Sequence, residues 1–175
     1  MPTIGVSVAV PDPWGQELQR YRIDLGDEAA RHIPTHITLL PPHDVEDHDV
    51  DAVRRHLAEV AGDTPPFRVH LRGTGTFRPV SPVVFVGVVE GISACEQLAS
   101  DVQSGPLQVQ RAFPYHPHVT VAHHVPETQL ERAFVEMEGY DAAFDVAQIW
   151  MYLHDEASGW QPERAFTLCG RAGPR

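Results

Sequence analysis

His36-Ile37-Thr38-Leu39 and His118-Val119-Thr120-Val121 repeat one pattern, His-apolar-Thr-apolar, 82 positions apart (118 − 36) in a chain of 175 residues. In an extended strand alternate side chains share a face, so His and Thr at i and i+2 project together, roughly 7 Å apart. The apolar residues between them turn the other way, into a core. Two such strands facing one cleft would present two imidazoles and two hydroxyls to a single small molecule. Imidazole exchanges a proton near neutral pH. The set therefore suits acid–base chemistry on a phosphate, with one ring taking a proton, the other giving one, and the hydroxyls donating to charged oxygens.

Eleven histidines and nine threonines make a single His-x-Thr unremarkable. The pair carries the signal, because the two copies share a context. Each has apolar residues at its second and fourth places, each begins a predicted strand, and each follows a proline closely, Pro34 before His36 and Pro117 before His118. Taken alone, either histidine reads as a strand residue satisfied by a hydrogen bond, and Thr38 and Thr120 as ordinary strand formers.

The elements that must position these residues follow from apolar periodicity and turn residues. Ile4 to Val10 alternates as a strand, and Pro11-Asp12-Pro13 ends it and starts a helix from Trp14 to Leu25 with Asp12 as N-cap. His36 to Leu40 is a strand stopped by Pro41-Pro42, followed by an acidic loop from Asp44 to Asp49 and a helix from Val50 to Val60. Phe67, Val69 and Leu71 mark a third strand, Gly73 to Pro82 a turn, Val83 to Val89 a central strand, and Ile92 to Val102 a helix closed by Gly105-Pro106. The pattern then recurs, with a strand at Val119 to Ala122, a helix at Glu127 to Met137, and a strand from Phe144 to Leu153. A turn at Ser158-Gly159 and a last strand from Arg164 to Leu168 complete it. The hairpin-like pairs predict an α+β arrangement of antiparallel sheets. If two lobes exist, their boundary falls near Gly91 or Gly105.

Composition narrows the functional classes. Hydrophobic content of 42 % with 21 % charged residues predicts a soluble globular chain with a substantial core, and no apolar run is long enough to cross a bilayer. Met1 to Val6 has no basic leader and reads directly as a strand, and Cys95 and Cys169 form neither a disulfide framework nor a metal-ligand spacing. Both cysteines are read as packing residues, and a cytoplasmic monomer is expected. A net charge of −11, with 13 basic residues against 24 acidic ones, argues against gripping long nucleic acid through its phosphates. A small phosphorylated molecule or one RNA terminus stays compatible.

Further candidates surround the two motifs. Arg78 and Arg111 lie in segments leading towards the cleft and Arg31 precedes the first motif, so each is a possible phosphate partner, with a solvated surface role as the alternative. Phe77, Phe113, Tyr115 and Trp160 can stack a base or pack a core; Tyr115, three residues before His118, is the foremost for substrate contact. His116, His118, His123 and His124 raise the alternative of a metal site, although no cysteine joins them and His123 falls on the face opposite His118. The remaining histidines, at 32, 43, 48, 56, 70 and 154, read as surface or loop residues.

The two spaced motifs, with Phe77-Arg78-Pro79-Val80-Ser81-Pro82, Tyr115-His116-Pro117 and the closing Trp160…Phe166-Thr167-Leu168, resemble the 2H phosphoesterase superfamily. That group contains bacterial 2'-5' RNA ligase-like proteins and RNA 2',3'-cyclic phosphodiesterases. The resemblance covers most of the chain. It implies one bilobal, pseudo-two-fold domain over residues 1–175, with two antiparallel sheets flanked by helices around a central cleft. It further implies metal-independent opening of cyclic phosphates without a cofactor, with His36 and His118 catalytic and Thr38 and Thr120 on the substrate. Arg78 and Tyr115 are the added candidates for substrate contact. Competing readings are 2'-5' RNA ligation at the same site, a non-catalytic phosphate-binding module, and a metal-binding protein built on His116 to His124.

Overall fold

The computed structural model describes residues 1–173, and two four-stranded antiparallel sheets organise it. The first contains β1 (Thr3–Ala9), β2 (His36–Asp44), β7 (Gln148–Asp155) and β8 (Gly159–Thr167) in the order β2-β1-β7-β8. The second contains β3 (Phe67–Thr76), β4 (Val84–Glu90), β5 (His118–Ala122) and β6 (Asp141–Val146) in the order β5-β4-β3-β6. Both His-x-Thr strands, β2 and β5, are therefore edge strands, and they run beside each other where the sheets meet.

Four helices, α1 (Trp14–Asp24), α2 (Val50–Asp63), α3 (Ile92–Val102) and α4 (Glu127–Glu136), flank the sheets. Each turns a short apolar stripe inward, such as Val53, Leu57 and Ala61 on α2 or Cys95, Leu98, Ala99 and Val102 on α3. Two helices cross over. α1 follows β1 of the first sheet yet packs on β5 of the second, and α3 follows β4 of the second sheet yet packs on β2 of the first. One hydrophobic cluster consequently runs through both sheets, from Ile4, Val6 and Ile37 to Val86, Val119 and Val121.

The α+β class, the antiparallel sheets and the flanking helices follow the expectation from sequence; several boundaries do not. β2 continues through Pro41-Pro42 to Asp44, still paired with β1 at Ile4↔His43 and Thr3↔Asp44. An edge strand tolerates proline, because the missing N–H costs nothing on its unpaired side. Gly73 to Thr76 belongs to β3, and the turn is confined to 77–83, closed by the Phe77 and Ser81 amides. The apolar stretch from Phe144 to Leu153 is two strands in different sheets, divided at Ala147. β8 begins at Gly159 because its pairing with β7 starts there, ahead of its first buried apolar side chain. No division falls at Gly91 or Gly105, since β3 to β6 form one sheet and β7 and β8 return to complete the other. The N-cap of α1 is Pro13, while Asp12 Oδ1 accepts the Gln16 amide at 3.2 Å. Cys95 is buried as expected, but Cys169 lies exposed beyond β8.

Gly75 shows how tightly the second sheet is built. It pairs with Phe85, and a Cβ at Gly75 would stand 2.5 Å from that ring. Gly75→Ala is expected to cost about 1–3 kcal/mol by overpacking. Gly62→Ala, inside α2 with nothing within 4 Å of its added Cβ, is expected instead to stabilise, by up to about 1 kcal/mol. Urea unfolding of the two variants, read as opposite shifts of midpoint, checks the contrast.

Candidate active site

The register sets small residues beneath the motif side chains. On the first sheet His36 lies opposite Ala9 and Thr38 opposite Ser7, with Gly5 two residues further along β1. On the second sheet His118 lies opposite Gly87, and Thr120 opposite Phe85. Ala9, Ser7 and Gly87 leave room above the strands for something other than protein, while Phe85, the large neighbour, packs against the His118 ring. A Cβ on Gly5 would sit 3.2 Å from the Trp160 indole, so this glycine lets the indole close over β1.

Each motif imidazole is anchored in the same way. His36 Nδ1 lies 2.7 Å from the Pro34 carbonyl and His118 Nδ1 lies 2.7 Å from the His116 carbonyl, in both cases two residues upstream. A carbonyl only accepts, so Nδ1–H must donate, and in the neutral ring Nε2 carries the lone pair. The His118 ring is further held edge-on to Phe77, at a centroid distance of 4.9 Å, and against Phe85 at 5.2 Å.

Burial makes both rings resist protonation. Burial lowers the His36 pKa, the hydrogen bond to Pro34 opposes this, and the Arg22 charge adds to the lowering. Burial pulls His118 down to about 4; the bond to His116 opposes it, while the rings of His116 and His36 add to the lowering. The His36 ring thus acts on His118 electrostatically.

The cleft has two connected parts. A narrow one of about 80 Å³ lies among His36, Thr38, Ser7, Tyr152 and Trp160. A wider one of about 570 Å³ adjoins it through Thr38 and Pro41 and is lined by His118, Phe77, Arg111, Phe113 and Tyr115. The wider part is largely apolar, and Phe113 and Val80 on its rim are 68 % and 74 % exposed. Thr38 thus borders both parts, and Thr120 shares the face of His118 on β5.

A closed set of hydrogen bonds ties the segment before β5 to β2. Tyr115 Oη donates to the Thr38 carbonyl at 2.7 Å, and the Gln103 amide donates to the Leu39 carbonyl at 2.6 Å. Arg111 Nε donates to Gln103 Oε1 at 2.7 Å, and its guanidinium lies 5.7 Å from the Tyr115 ring centroid. Tyr115 accordingly presents its ring to the cleft while its hydroxyl is spent on β2.

Arg78 is placed differently from the other candidates. Its guanidinium is engaged by Glu127 at 2.5 Å, Glu131 at 3.3 Å and Thr76 Oγ1 at 3.0 Å, and it lines neither part of the cleft. Arg31 is paired with Glu28, which leaves Arg111 as the arginine on the wider part. The His116 to His124 run divides: His116 and His118 border the wider part of the cleft, whereas His123 and His124 line a separate space. His56 and His70, read as surface or loop residues, are half-buried on α2 and β3, bonded to the Val102 carbonyl and Asp141. Sequence reasoning missed Ser7, Gln103 and Tyr152. The alternation Gly5-Val6-Ser7-Val8-Ala9, small on one face and branched on the other, was the signal for an open face on β1.

Paired His-x-Thr edges on two antiparallel sheets define a protein that offers two tautomer-fixed imidazoles to one cleft. The 2'-5' RNA ligase superfamily model matches residues 10–158, and the chain belongs to that superfamily, the 2H phosphoesterases. A Geobacillus kaustophilus protein named "Putative phosphoesterase" is 23% identical over 141 residues, 79% of this chain and 81% of its own. A Staphylococcus epidermidis protein of that name is 23% identical over 168 residues, 94% and 98% of the two chains. Among solved structures, TT0787 of Thermus thermophilus superposes with a TM-score of 0.71 at 19% identity, covering 97% of this chain and 100% of that one. E. coli LigT complexed with 3'-AMP gives 0.66 at 22% identity, covering 96% and 99%. These two share the fold.

A stability prediction follows from the lowered His118 pKa. Its ordinary value of 6.5 applies to the unfolded chain, which therefore binds protons more readily than the folded one. The contribution of the neutral ring is full above pH 6.5 and is lost as pH falls towards about 4. The melting temperature should drop across that window, and His118→Asn should flatten the drop. Inorganic phosphate should reduce it, because an anion in the cleft favours the imidazolium.

Proposed function

We propose that this protein is a metal-independent cyclic phosphodiesterase that opens 2',3'-cyclic phosphates on RNA ends or small nucleotides. The matched anchoring of His36 and His118, each donating Nδ1–H to a carbonyl and facing one cleft from opposite sheets, carries this reading. In the step proposed, one neutral imidazole removes a proton from water through Nε2 as the new P–O bond forms. The other, protonated, gives its proton to the ribose oxygen as the bond from phosphorus to that oxygen breaks. The hydroxyls of Thr38 and Thr120 donate to the non-bridging oxygens, where charge builds.

With burial favouring the neutral form of both rings, the substrate itself supplies the second proton's reason to bind. Its negative charge favours the imidazolium and brings one ring into the acid form. E. coli LigT has been solved with 3'-AMP, ATP and NADP+, which supports a small nucleotide as ligand. In this reading residues 1–175 act as one bilobal domain, a cytoplasmic monomer, with Tyr115 and Phe113 beside the base. Ligation would use the same groups in reverse, but the net charge of −11 favours hydrolysis of short ends over the joining of long strands.

The test is turnover of 2',3'-cyclic nucleoside monophosphates and of a short RNA ending in a 2',3'-cyclic phosphate, by EDTA-treated protein. Wild type should turn them over, and His36→Ala or His118→Ala should each lose about 10²–10⁴-fold in kcat. Absence of turnover by the wild type, or near-normal turnover by both variants, overturns the proposal. Because the anion raises the pKa of the acid ring, the bell of kcat against pH should lie at higher pH than that of kcat/KM, which reports the free protein.

A further inference from the structure

Beyond Ile33 and Trp160, which it shares with the narrow part of the cleft, lies a second chamber of about 380 Å³. Four imidazoles, those of His32, His123, His124 and His154, line it together with Arg22. They come from the turn before β2, from the end of β5, from β7 and from α1, so the fold gathers them where no sequence motif does. The catalytic step uses none of them.

The cluster is held in place. The rings of His123 and His124 stack at 3.7 Å, an arrangement made possible by the left-handed backbone of His124 (φ 56°). The His154 ring stands against Trp160 at 5.1 Å. Gly159 (φ 74°) closes on His32, whose Cβ would lie 2.5 Å from a Cβ at that glycine. Arg22 is buried and gives Nε and one terminal nitrogen to Asp27 Oδ2, at 3.0 and 2.6 Å, which leaves its other terminal nitrogen uncommitted in that pair.

The acids around the chamber are mostly spent. Asp27 is fully buried in that pair, with Oδ1 unpartnered among the described residues, and its charge acts on His123 in favour of protonation. Asp155 is occupied by the amides of Ala157 and Ser158 and by the Ser158 hydroxyl. Glu156, exposed in the same turn, is the carboxylate on the chamber's lining. Among the described residues no three His, Cys, Asp or Glu groups converge closely enough to hold a metal ion. Several imidazole N–H groups and a guanidinium around a cavity instead suit a multiply charged oxyanion, which accepts from all of them.

The three spaces lie in a row: the wide apolar part, the narrow part with His36 and Thr38, and the histidine chamber. Ile33 and Trp160 line both of the last two, which places them side by side. A nucleotide with a 2',3'-cyclic phosphate has the same order. Its base leaves the ribose next to the 2' carbon and its 5' oxygen leaves next to the 3' carbon, so the two diverge on either side of the ring phosphate.

We infer that the histidine chamber receives the phosphate on the 5' side of the substrate's ribose. The preferred substrate is then a 5'-phosphorylated nucleotide, free or as the last residue of an RNA, ahead of a bare nucleoside 2',3'-cyclic phosphate. This inference rests on the phosphodiesterase reading above for the placing of the ring phosphate.

Two measurements separate the inference from that reading. In the first, adenosine 2',3'-cyclic phosphate is compared with its 5'-phosphorylated form and with a dinucleotide ending in the cyclic phosphate. Wild type should favour the 5'-phosphorylated substrate by roughly ten-fold in kcat/KM, the worth of one hydrogen bond to a charged group. The ratio should fall to about one in a His32→Gln/His154→Gln variant, and a dinucleotide matching the free nucleotide would mark an RNA end as an equal source. In the second, calorimetry compares adenosine 3'-monophosphate with adenosine 3',5'-bisphosphate, needing no turnover. Tighter bisphosphate binding that the double variant loses would uphold the chamber even if no cyclic phosphate were opened. Equal treatment of each pair by the wild type, or a preference that survives in the variant, overturns the inference.

Discussion

The hydrogen bond from each motif imidazole to a carbonyl two residues upstream is the constraint on which the site depends. It fixes the tautomer, and with it which nitrogen is left for chemistry. It also fixes the ring's direction before any ligand arrives, so no rotamer entropy is lost at that moment. The prolines near each motif serve this bond. Pro34 supplies the acceptor for His36 itself, and Pro117 restricts His116 to an extended backbone whose carbonyl the next histidine can reach. Both acceptors lie just outside their strands, so the bond to the ring competes with no sheet ladder.

Two anchored rings matter only if they face each other, and edge strands make that possible. An exposed edge carries unpaired backbone groups and invites unwanted pairing. Here the edges of the two sheets are turned towards one another, and the intervening segment from Gln103 to Tyr115 satisfies β2 carbonyls at Thr38 and Leu39. Because Tyr115 precedes His118 by three residues, the bond that covers the edge also holds the second motif against the first. The crossing of α1 and α3 does the same on the outer faces, since neither sheet can shift without dragging a helix packed on the other.

How far this could be read from the residues depended on the range of each interaction. His36, Thr38, His118 and Thr120 were readable because strand alternation is local and the motif occurs twice. The helices α2, α3 and α4 were readable for the same reason, each burying one stripe. The division at Ala147 was not, because an apolar run looks the same whether it stays in one sheet or passes to another. Arg78 was placed near the cleft by its neighbours in sequence, yet Glu127 and Glu131 on α4 claim its charge, and that pairing is visible only in three dimensions. Of the histidine chamber only the adjacent pair His123-His124 stood out in the sequence, its members being separated by as many as 122 positions (154 − 32).

On the proposed function, a protein of net charge −11 must hold a phosphate with local groups against its own field. The usual solution is a cluster of fixed cations, but here arginines near the cleft are mostly paired with acids, Arg22 with Asp27 and Arg31 with Glu28. What remains beside Arg111 is imidazole, which takes up a proton when an anion makes it favourable. Burial holds His36, His118 and His123 on the neutral side in the empty protein. In the proposed reaction the positive charge that holds the phosphate is a proton taken up from water as the phosphate binds. Binding and the arming of the acid are on this view one event, so an uncharged analogue of the right shape leaves both rings neutral and the acid unarmed.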